Sequence, residues 1–373
     1  MSKPLEGITV LDFSQFMAGP LAALRLADLG AHVIKIERPD GGDPARKLAI
    51  SNMFHNGSSV TFNSINRGKD SVALNLKNPD DLQSAKELIK NADVLIENFR
   101  PGIMDRLGLD YQSTLSINPG IVYGSVSGYG NIASLKNKPG QDLLVQAMSG
   151  VMHLSGNRND PPMPFGLAIA DMYTANHLVQ GILAALIQRG RTMKGSKVEV
   201  SLLESTLDLQ FEVLTAFFND GQQLPIRSMA YNAHAYLGAP YGIYETENGH
   251  LALAMGSIIK LGELIGLNAL QEFICEESWF NERDKIKELI GAHLKKQKTQ
   301  FWLEKLEPAD FWCAEVLDWG ELNKRGVFEE LGITQIVGDD KHGFLTTTRC
   351  PIRFDGQILT NNKPAPNLGE TQK

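Results

Sequence analysis

From Pro161 to Gly190 the chain reads PPMPFGLAIADMYTANHLVQGILAALIQRG. A proline-rich lead and one glycine feed a short apolar run, Leu167 to Ala170, which meets a single carboxylate, Asp171. After it come about eighteen residues without proline and almost without charge, the pattern of a buried helix. Asp171 is the only charge between Asp160 and Arg189. At a helix start an aspartate caps the first turn and sits where the dipole favours an anion, so the pattern predicts an ionised carboxylate in one fixed orientation. On this local pattern alone Asp171 reads as a structural cap.

Upstream, apolar runs alternate with helical stretches. Gly7 to Ser14 predicts a strand, the stretch to Leu29 a helix ended by Gly30, and Ala31 to Glu37 a parallel strand with Glu37 at its carboxyl end. Such a βαβ unit suits a nucleotide, but the G-x-G-x-x-G fingerprint of dinucleotide dehydrogenases is absent. Ser71 to Leu76 predicts another strand, Asn78-Pro79 starts a helix reaching Ala92, and Asp93 to Asn98 predicts the next strand. Its carboxyl end carries Glu97-Asn98-Phe99-Arg100-Pro101-Gly102, an amide, an aromatic face and a guanidinium where open α/β sheets collect ligands. Further strands are expected at Ile121 to Ser127 and Lys197 to Ser201, with helices at Leu143 to Ser149 and from about Leu203 to Phe218. This alternation predicts an α/β fold with a mainly parallel sheet covered on both faces.

Beyond Asn219 the pattern changes. Asn248-Gly249 between Tyr241–Glu245 and His250–Ala254 signals a hairpin, followed by polar helices to about residue 305. The expected organisation is a large domain over 1–225, a smaller α+β domain over 226–315, and a return segment, 316–373, that completes the first. In that segment a helix near Val327 to Leu331, a late strand at Cys350 to Phe354 and an extended tail from Pro364 are expected.

Composition narrows the function classes. With 373 residues, 43% hydrophobic and 21% charged, the chain is ordinary globular protein, and a net charge of -7 gives no electrostatic reason to expect nucleic acid or an anionic membrane. Three cysteines without C-x-x-C spacing point to free thiols in a reducing compartment. With no signal peptide or spanning segment in the sequence, a cytoplasmic protein is expected. No metal site is expected: the eight histidines form no H-x-x-H pair, and Glu247-Asn-Gly-His250 spans a turn rather than a helix. Gly124-Ser-Val-Ser-Gly128 has valine where a G-x-S-x-G nucleophile would stand. Lys77, Lys69, Arg38, Arg100 and Arg106 each read as surface charges, yet they gather near predicted strand ends and together suit a phosphate-bearing ligand.

Six motifs in order carry a resemblance: Leu11-Asp-Phe-Ser-x-x-x-Ala-Gly-Pro20; Gly30-Ala-x-Val-Ile-Lys-Ile-Glu37; Asn66-Arg-Gly-Lys69 with Leu74-x-Leu-Lys77; Glu97-Asn-Phe-Arg-Pro-Gly102; Gly128-Tyr-Gly130; and Ile169-Ala-Asp171. From about residue 5 to 255 the sequence resembles the class III coenzyme A transferases, the CaiB/BaiF family, with weaker similarity through Pro351–Phe354 and Asn367–Glu370. The resemblance implies a Rossmann-like large domain built from both termini, a small domain between, and a homodimer of interlocked subunits. It implies acyl-CoA and a small carboxylic acid as substrates, with no tightly bound cofactor.

By the same resemblance Asp171 is the catalytic nucleophile, forming an acyl-aspartyl anhydride and then an aspartyl-CoA thioester. Backbone N–H groups at the start of the Asp171 helix and in the glycine loop near Gly238 are candidates to hold the developing oxyanions. The resemblance places Arg38 near the adenine, Leu74 and Lys77 around the nucleotide, Asn98 and Phe99 along the strand end, Arg106 at a phosphate, and Ala18 as a backbone contact near the thiol. Gln15, Met17, Gln141 and Gly238 fall around the acyl group. Met17 and Gln141 stand where formyl-CoA transferases carry glutamine and tyrosine, which disfavours acids of the oxalate and formate type. The 2-methylacyl-CoA racemases share the aspartate and add a histidine in Gly-His-Asp; here Gly140-Gln141-Asp142 replaces it, and an amide does not shuttle protons at neutral pH. A non-catalytic CoA-binding protein is the remaining alternative.

Overall fold

The computed structural model describes residues 3–371. The described residues divide into two compact units, one formed by those up to 145, by 167–209 and by those from 328 on, the other by 146–166 and 210–327. Segments 146–166, 210–225 and 316–327, expected with the first domain, thus group with the second.

The first unit runs β1 (Thr9–Asp12), α1 (Ala18–Asp28), β2 (His32–Glu37), the two-residue pair β3 (Phe54–His55) and β4 (Ser58–Ser59), α2 (Val60–Asn66), β5 (Asp70–Ala73), α3 (Pro79–Lys90), β6 (Val94–Glu97), α4 (Ile103–Leu107), α5 (Tyr111–Ile117), β7 (Val122–Ser127), α6 (Asp142–Met148), α7 (Ile169–Thr192), β8 (Ser196–Ser201) and α8 (Leu202–Asp208). Six strands form one parallel sheet in the order β5-β2-β1-β6-β7-β8. The strand order reverses between β1 and β6, so the crevice above their carboxyl ends is the natural ligand position. Val94 to Glu97 is buried throughout, as expected of a strand covered on both faces. Helices α1 and α7 share one core with β1, β2, β6 and β7, through Leu24, Val33, Ile96, Leu178 and Ile182. Gly181 lets α7 lie close on the sheet, since a Cβ there would stand 2.4 Å from Val198 Cγ1. On the opposite face α3, α4 and α5 pack over Leu11, Val72, Leu95 and Tyr123.

The carboxyl ends of β1, β2 and β5 are tied by buried charges. Lys69, expected at the surface with the phosphate-binding cations, is fully buried, and its Nζ donates to Asp12 Oδ2, Asn66 Oδ1 and the Pro20 carbonyl, each at 2.8 Å. It is a structural residue and not part of a phosphate site. Lys35 Nζ donates to the Ser14 carbonyl at 2.8 Å and lies 2.9 Å from Asp43 Oδ2. Glu37 accepts both arms of Arg46, at 2.7 and 2.8 Å, and the Ser71 hydroxyl at 2.7 Å. Burial pushes Lys69 down to about 8 against the pull of Asp12. The tail packs on this network: Pro366 accepts from Arg46, and Gly369 N–H donates to Ser71 Oγ.

The second unit contains α9 (Phe211–Asn219) and a three-stranded antiparallel sheet of β9 (Gly242–Glu245), β10 (His250–Leu253) and β11 (Cys313–Glu315). Its helices α10 (Ile258–Ile265), α11 (Glu276–Asn281), α12 (Arg283–Leu294) and α13 (Thr299–Leu306) pack around Tyr244, Leu251, Ile286 and Trp302. The single helix expected from Leu203 to Phe218 is broken at Leu209–Gln210, where the Gln210 side chain turns to donate to the Ser149 carbonyl. In the returning segment a hairpin of Thr334–Asp339 and Gly343–Thr348 forms that the sequence pattern does not announce. The late strand shrinks to Arg353–Phe354 paired with Gln357–Ile358.

Candidate active site

In a parallel sheet each crossover helix starts above the carboxyl ends of the strands. The first residues of α1 and α7, Ala18 and Asp171 among them, therefore belong to the same edge as the loops following β1 and β6. Two contacts shape that edge at the switch point. The Asn98 side chain accepts from Gln15 N–H at 2.8 Å and donates to the Gln15 carbonyl at 2.7 Å, joining the two loops. Phe16 turns the chain with φ of 65°, and Met17 precedes α1 without a side-chain cap.

Asp171 is the third residue of α7, not its cap. A helix start leaves four N–H groups without helical partners. Here Ile169 N–H donates to the Leu167 carbonyl, and the first helical bond runs from Met172 N–H to the Ala168 carbonyl. Ala170 and Asp171 N–H both donate to Asp142 Oδ1, at 2.8 and 3.2 Å. The cap for these two amides is thus delivered from another element, and neither of them remains for the Asp171 carboxylate or for a substrate oxyanion. Of the helix-start amides expected as oxyanion donors, those of Ala170 and Asp171 are already engaged by Asp142. Among the described residues the Asp171 carboxylate takes no hydrogen bond. Burial, with a smaller push from the Asp142 charge, raises it from the usual aspartate range to about 7. The ionised carboxylate expected from the sequence is thus disfavoured: with the Ala170 and Asp171 amides taken and the group partly buried, its protonated form persists to higher pH than in an ordinary aspartate.

Asp142 is itself held by the loop ending β7. Gly128 and Gly140 lie back to back, so that a Cβ on Gly140 would come within 2.4 Å of Gly128 Cα. Beside them the buried Tyr129 hydroxyl donates to the Pro139 carbonyl at 3.0 Å. Gln141, next to Asp142, is exposed.

The other expected ligand residues fall into two groups. Arg38, Lys77 and Arg106 are exposed and form no ion pair among the described residues; Arg38 donates through Nε to the Gly42 carbonyl. They follow β2, β5 and β6, strands on both sides of the switch point. Ala18 and Leu74, in contrast, are 3% and 1% exposed, so a ligand meets only their backbone. Phe99 lines a cavity of about 470 Å³ with Arg100, Gly102, Lys136 and Lys197. Its buried floor is Glu97, raised by desolvation and hydrogen-bonded to Ser125 Oγ and Phe99 N–H. Gly238 belongs to the second unit, in a loop where a Cβ would stand 2.8 Å from the Trp279 carbonyl oxygen. Sequence reasoning missed the roles of Asp12 and Asp142; only the position of Asp142 at a helix start marked it.

The raised Asp171 carboxyl has a consequence for stability. A carboxyl whose folded pKa exceeds the unfolded one, about 3.9, favours folding below the unfolded value, and the gain is lost as pH rises through about 7. Asp171→Asn should therefore raise the thermal midpoint at pH 8 and leave it nearly unchanged at pH 4. Equal midpoints for the two proteins at pH 8 would contradict the desolvated site.

Comparison with known proteins agrees with this architecture. The profile of CoA-transferase family III matches residues 5–372. Succinyl-CoA:glutarate CoA-transferase of Mus musculus is 31% identical over 99% of this chain and 84% of its own length. Acetyl-CoA:oxalate CoA-transferase of Acetobacter aceti is 34% identical over 98% and 93%. A CaiB/BaiF family protein from Brucella suis superposes with a TM-score of 0.83 at 28% identity, over 99% of this chain and 97% of that one. The chain belongs to CoA-transferase family III, the CaiB/BaiF proteins.

Proposed function

We propose that this protein moves coenzyme A from an acyl-CoA donor to a carboxylic acid through covalent intermediates on Asp171. The observation that carries the reading is Asp171 itself: a desolvated carboxyl without hydrogen bonds, at the edge of the sheet where ligands collect. The Asp171 carboxylate attacks the donor thioester carbonyl and CoA thiolate leaves, giving a mixed anhydride. The thiolate then attacks the aspartyl carbonyl, releasing the donor acid and leaving an aspartyl-CoA thioester. The acceptor carboxylate displaces CoA to form a second anhydride, and the thiolate closes on the acceptor carbonyl, freeing Asp171. Desolvation serves this route, since a more basic carboxylate is the better nucleophile once ionised.

Arg38, Lys77 and Arg106 are the cations left for the phosphates and adenine of the coenzyme, and the backbone of Ala18 and Leu74 lies along the same edge. Asn98 acts by joining its loop to Gln15, with Phe99 beside it. Relatives act on glutarate and oxalate by name. Screening dicarboxylic and monocarboxylic acids with succinyl-CoA and acetyl-CoA, with products read by mass, identifies the acceptor here.

A homodimer completes the reading. Helix α9 buries none of its residues within the chain, leaving Phe211 and Phe218 exposed, and Leu143, Leu144 and Met148 are also uncovered. Light scattering is expected to give twice the 41.0 kDa chain mass, and a stable monomer contradicts it.

A carboxyl near neutral pKa also suits proton exchange, the chemistry of the racemase reading. Gln141 lacks the second proton carrier, so native protein should wash no deuterium into the α-carbon of a 2-methylacyl-CoA. Asp171→Ala should abolish CoA transfer while keeping CoA affinity within about threefold; full exchange by that variant removes the covalent route. Charge reversal at Lys77 or Arg106 should raise the acyl-CoA KM at least about tenfold with little change in kcat, and an unchanged KM removes that residue from the site.

A further inference from the structure

The same edge contains a second carboxylate that the reaction above does not use. We propose that Asp142 is the positioning residue for Asp171: through Oδ1 it fastens the first turn of α7 to the loop that ends β7, and brings its charge to the backbone of Asp171. The proposal rests on the reading of Asp171 as the nucleophile and goes beyond it by naming what holds that nucleophile.

Geometry carries it. Asp142 Oδ1 accepts both Ala170 N–H and Asp171 N–H, and α7 has no cap of its own, because Ala168 at the N-cap position has no side-chain acceptor. Ala170 is fully buried in the core shared with α1, so the turn that Asp142 grips is also fixed from beneath. Asp142 in turn starts a helix whose lead, Pro139-Gly140-Gln141, is pinned by the Tyr129 hydroxyl and the Gly128–Gly140 contact. The line of support therefore runs from the end of β7 to the backbone of the reacting residue. Shifts of about 1 Å in a reacting group cost on the order of 100-fold in rate, so a clasp on that backbone is a catalytic constraint as well as a fold constraint.

Charge carries the second half. Besides the start of α6, the elements packed most extensively on α7 are α1, α8, β7 and β8. Helix α1 has only Arg25 and Asp28, in its last turn and bonded to each other. In α8, Glu204 binds Ser201 and Asp208 faces His177. Strand β7 has no charged residue, and on β8 Lys197 pairs with Glu199. Asp142 is the charge that acts on Asp171, pushing it in the same direction as burial.

Two substitutions separate the roles. Asp142→Asn keeps an oxygen acceptor for the α7 amides and removes the charge; Asp142→Ala removes both. Transfer is measured between pH 5 and 9, with circular dichroism to establish folding and carbon-detected NMR of the Asp171 carboxyl. The Asn variant should retain kcat within about threefold at pH 8 and move the acidic limb, and the NMR titration of Asp171, to lower pH. The Ala variant, if folded, should lose kcat about 10- to 100-fold with little change in acyl-CoA KM. An Asn variant whose limb and NMR titration match the native protein overturns the electrostatic half. A folded Ala variant with native kcat overturns the positioning half. If the Ala variant does not fold, Tyr129→Phe, which loosens the same segment, should lower kcat while leaving acyl-CoA KM unchanged, and native kcat there overturns the positioning half. Full transfer by Asp171→Ala would instead remove the underlying reading, which keeps the two failures distinct.

Discussion

The pairing of Asp12 with Lys69 underlies the carboxyl edge of the sheet. Both side chains are fully buried, and breaking such a pair by removing one partner typically costs about 3–5 kcal/mol, because the other charge is left unpaired. Their partners define the surrounding loops: Lys69 reaches the start of α1 at Pro20, while Lys35 holds Ser14 and Asp43. With those loops fixed, Gln15 meets Asn98 across the switch point, and α1 begins at a defined place. The C-terminal tail adds Pro366 and Gly369 to the same lattice, so the last residues of the chain brace its first βαβ unit.

Against that rigid edge, Asp171 is arranged differently from the ion-paired carboxylates Asp12 and Glu37. Asp12 and Glu37 are buried, yet paired cations outweigh their desolvation and hold them below the ordinary range. Among the described residues Asp171 has no cation beside it, and the Ala170 and Asp171 amides are taken by Asp142, so its desolvation is not offset. The contrast separates charges that build the fold from one that is left reactive. Stored cost of this kind is characteristic of functional groups, although buried structural networks also shift pKa values, and here both kinds occur in one unit.

Much of this was legible in the sequence. Four strands of the parallel sheet lie within the apolar runs that predicted them and the other two, β5 and β8, begin one residue earlier, while Asn248-Gly249 does turn the β9–β10 hairpin. The helix start at Asp171 was also read from the proline-rich lead and the change of period. What escaped depended on contacts between distant segments. Lys69 looks like a surface charge until Asp12, 57 residues away, is brought beside it. The cap of α7 comes from Asp142, about a loop and a helix upstream, and no local pattern distinguishes a helix that caps itself from one capped by a neighbour. That difference also bears on protonation: an aspartate binding its own turn is held ionised, whereas at Asp171 burial raises the carboxyl. The hairpin of Thr334–Asp339 and Gly343–Thr348 was hidden because its strands are rich in threonine and have little apolar alternation. The break at Leu209–Gln210 has neither proline nor glycine to announce it.

The covalent role of Asp171 is the claim on which the functional account turns, and a trapped intermediate tests it without relying on loss of activity. The protein is mixed with acyl-CoA and quenched with borohydride, which reduces an aspartyl thioester to the alcohol and leaves free carboxylates untouched. Peptide mass spectrometry then reads the segment from Pro161 to Arg189. Reduction confined to Asp171, dependent on acyl-CoA, is the predicted result. Turnover in the same mixture with Asp171 unmodified and no other intermediate captured at that residue would contradict the account.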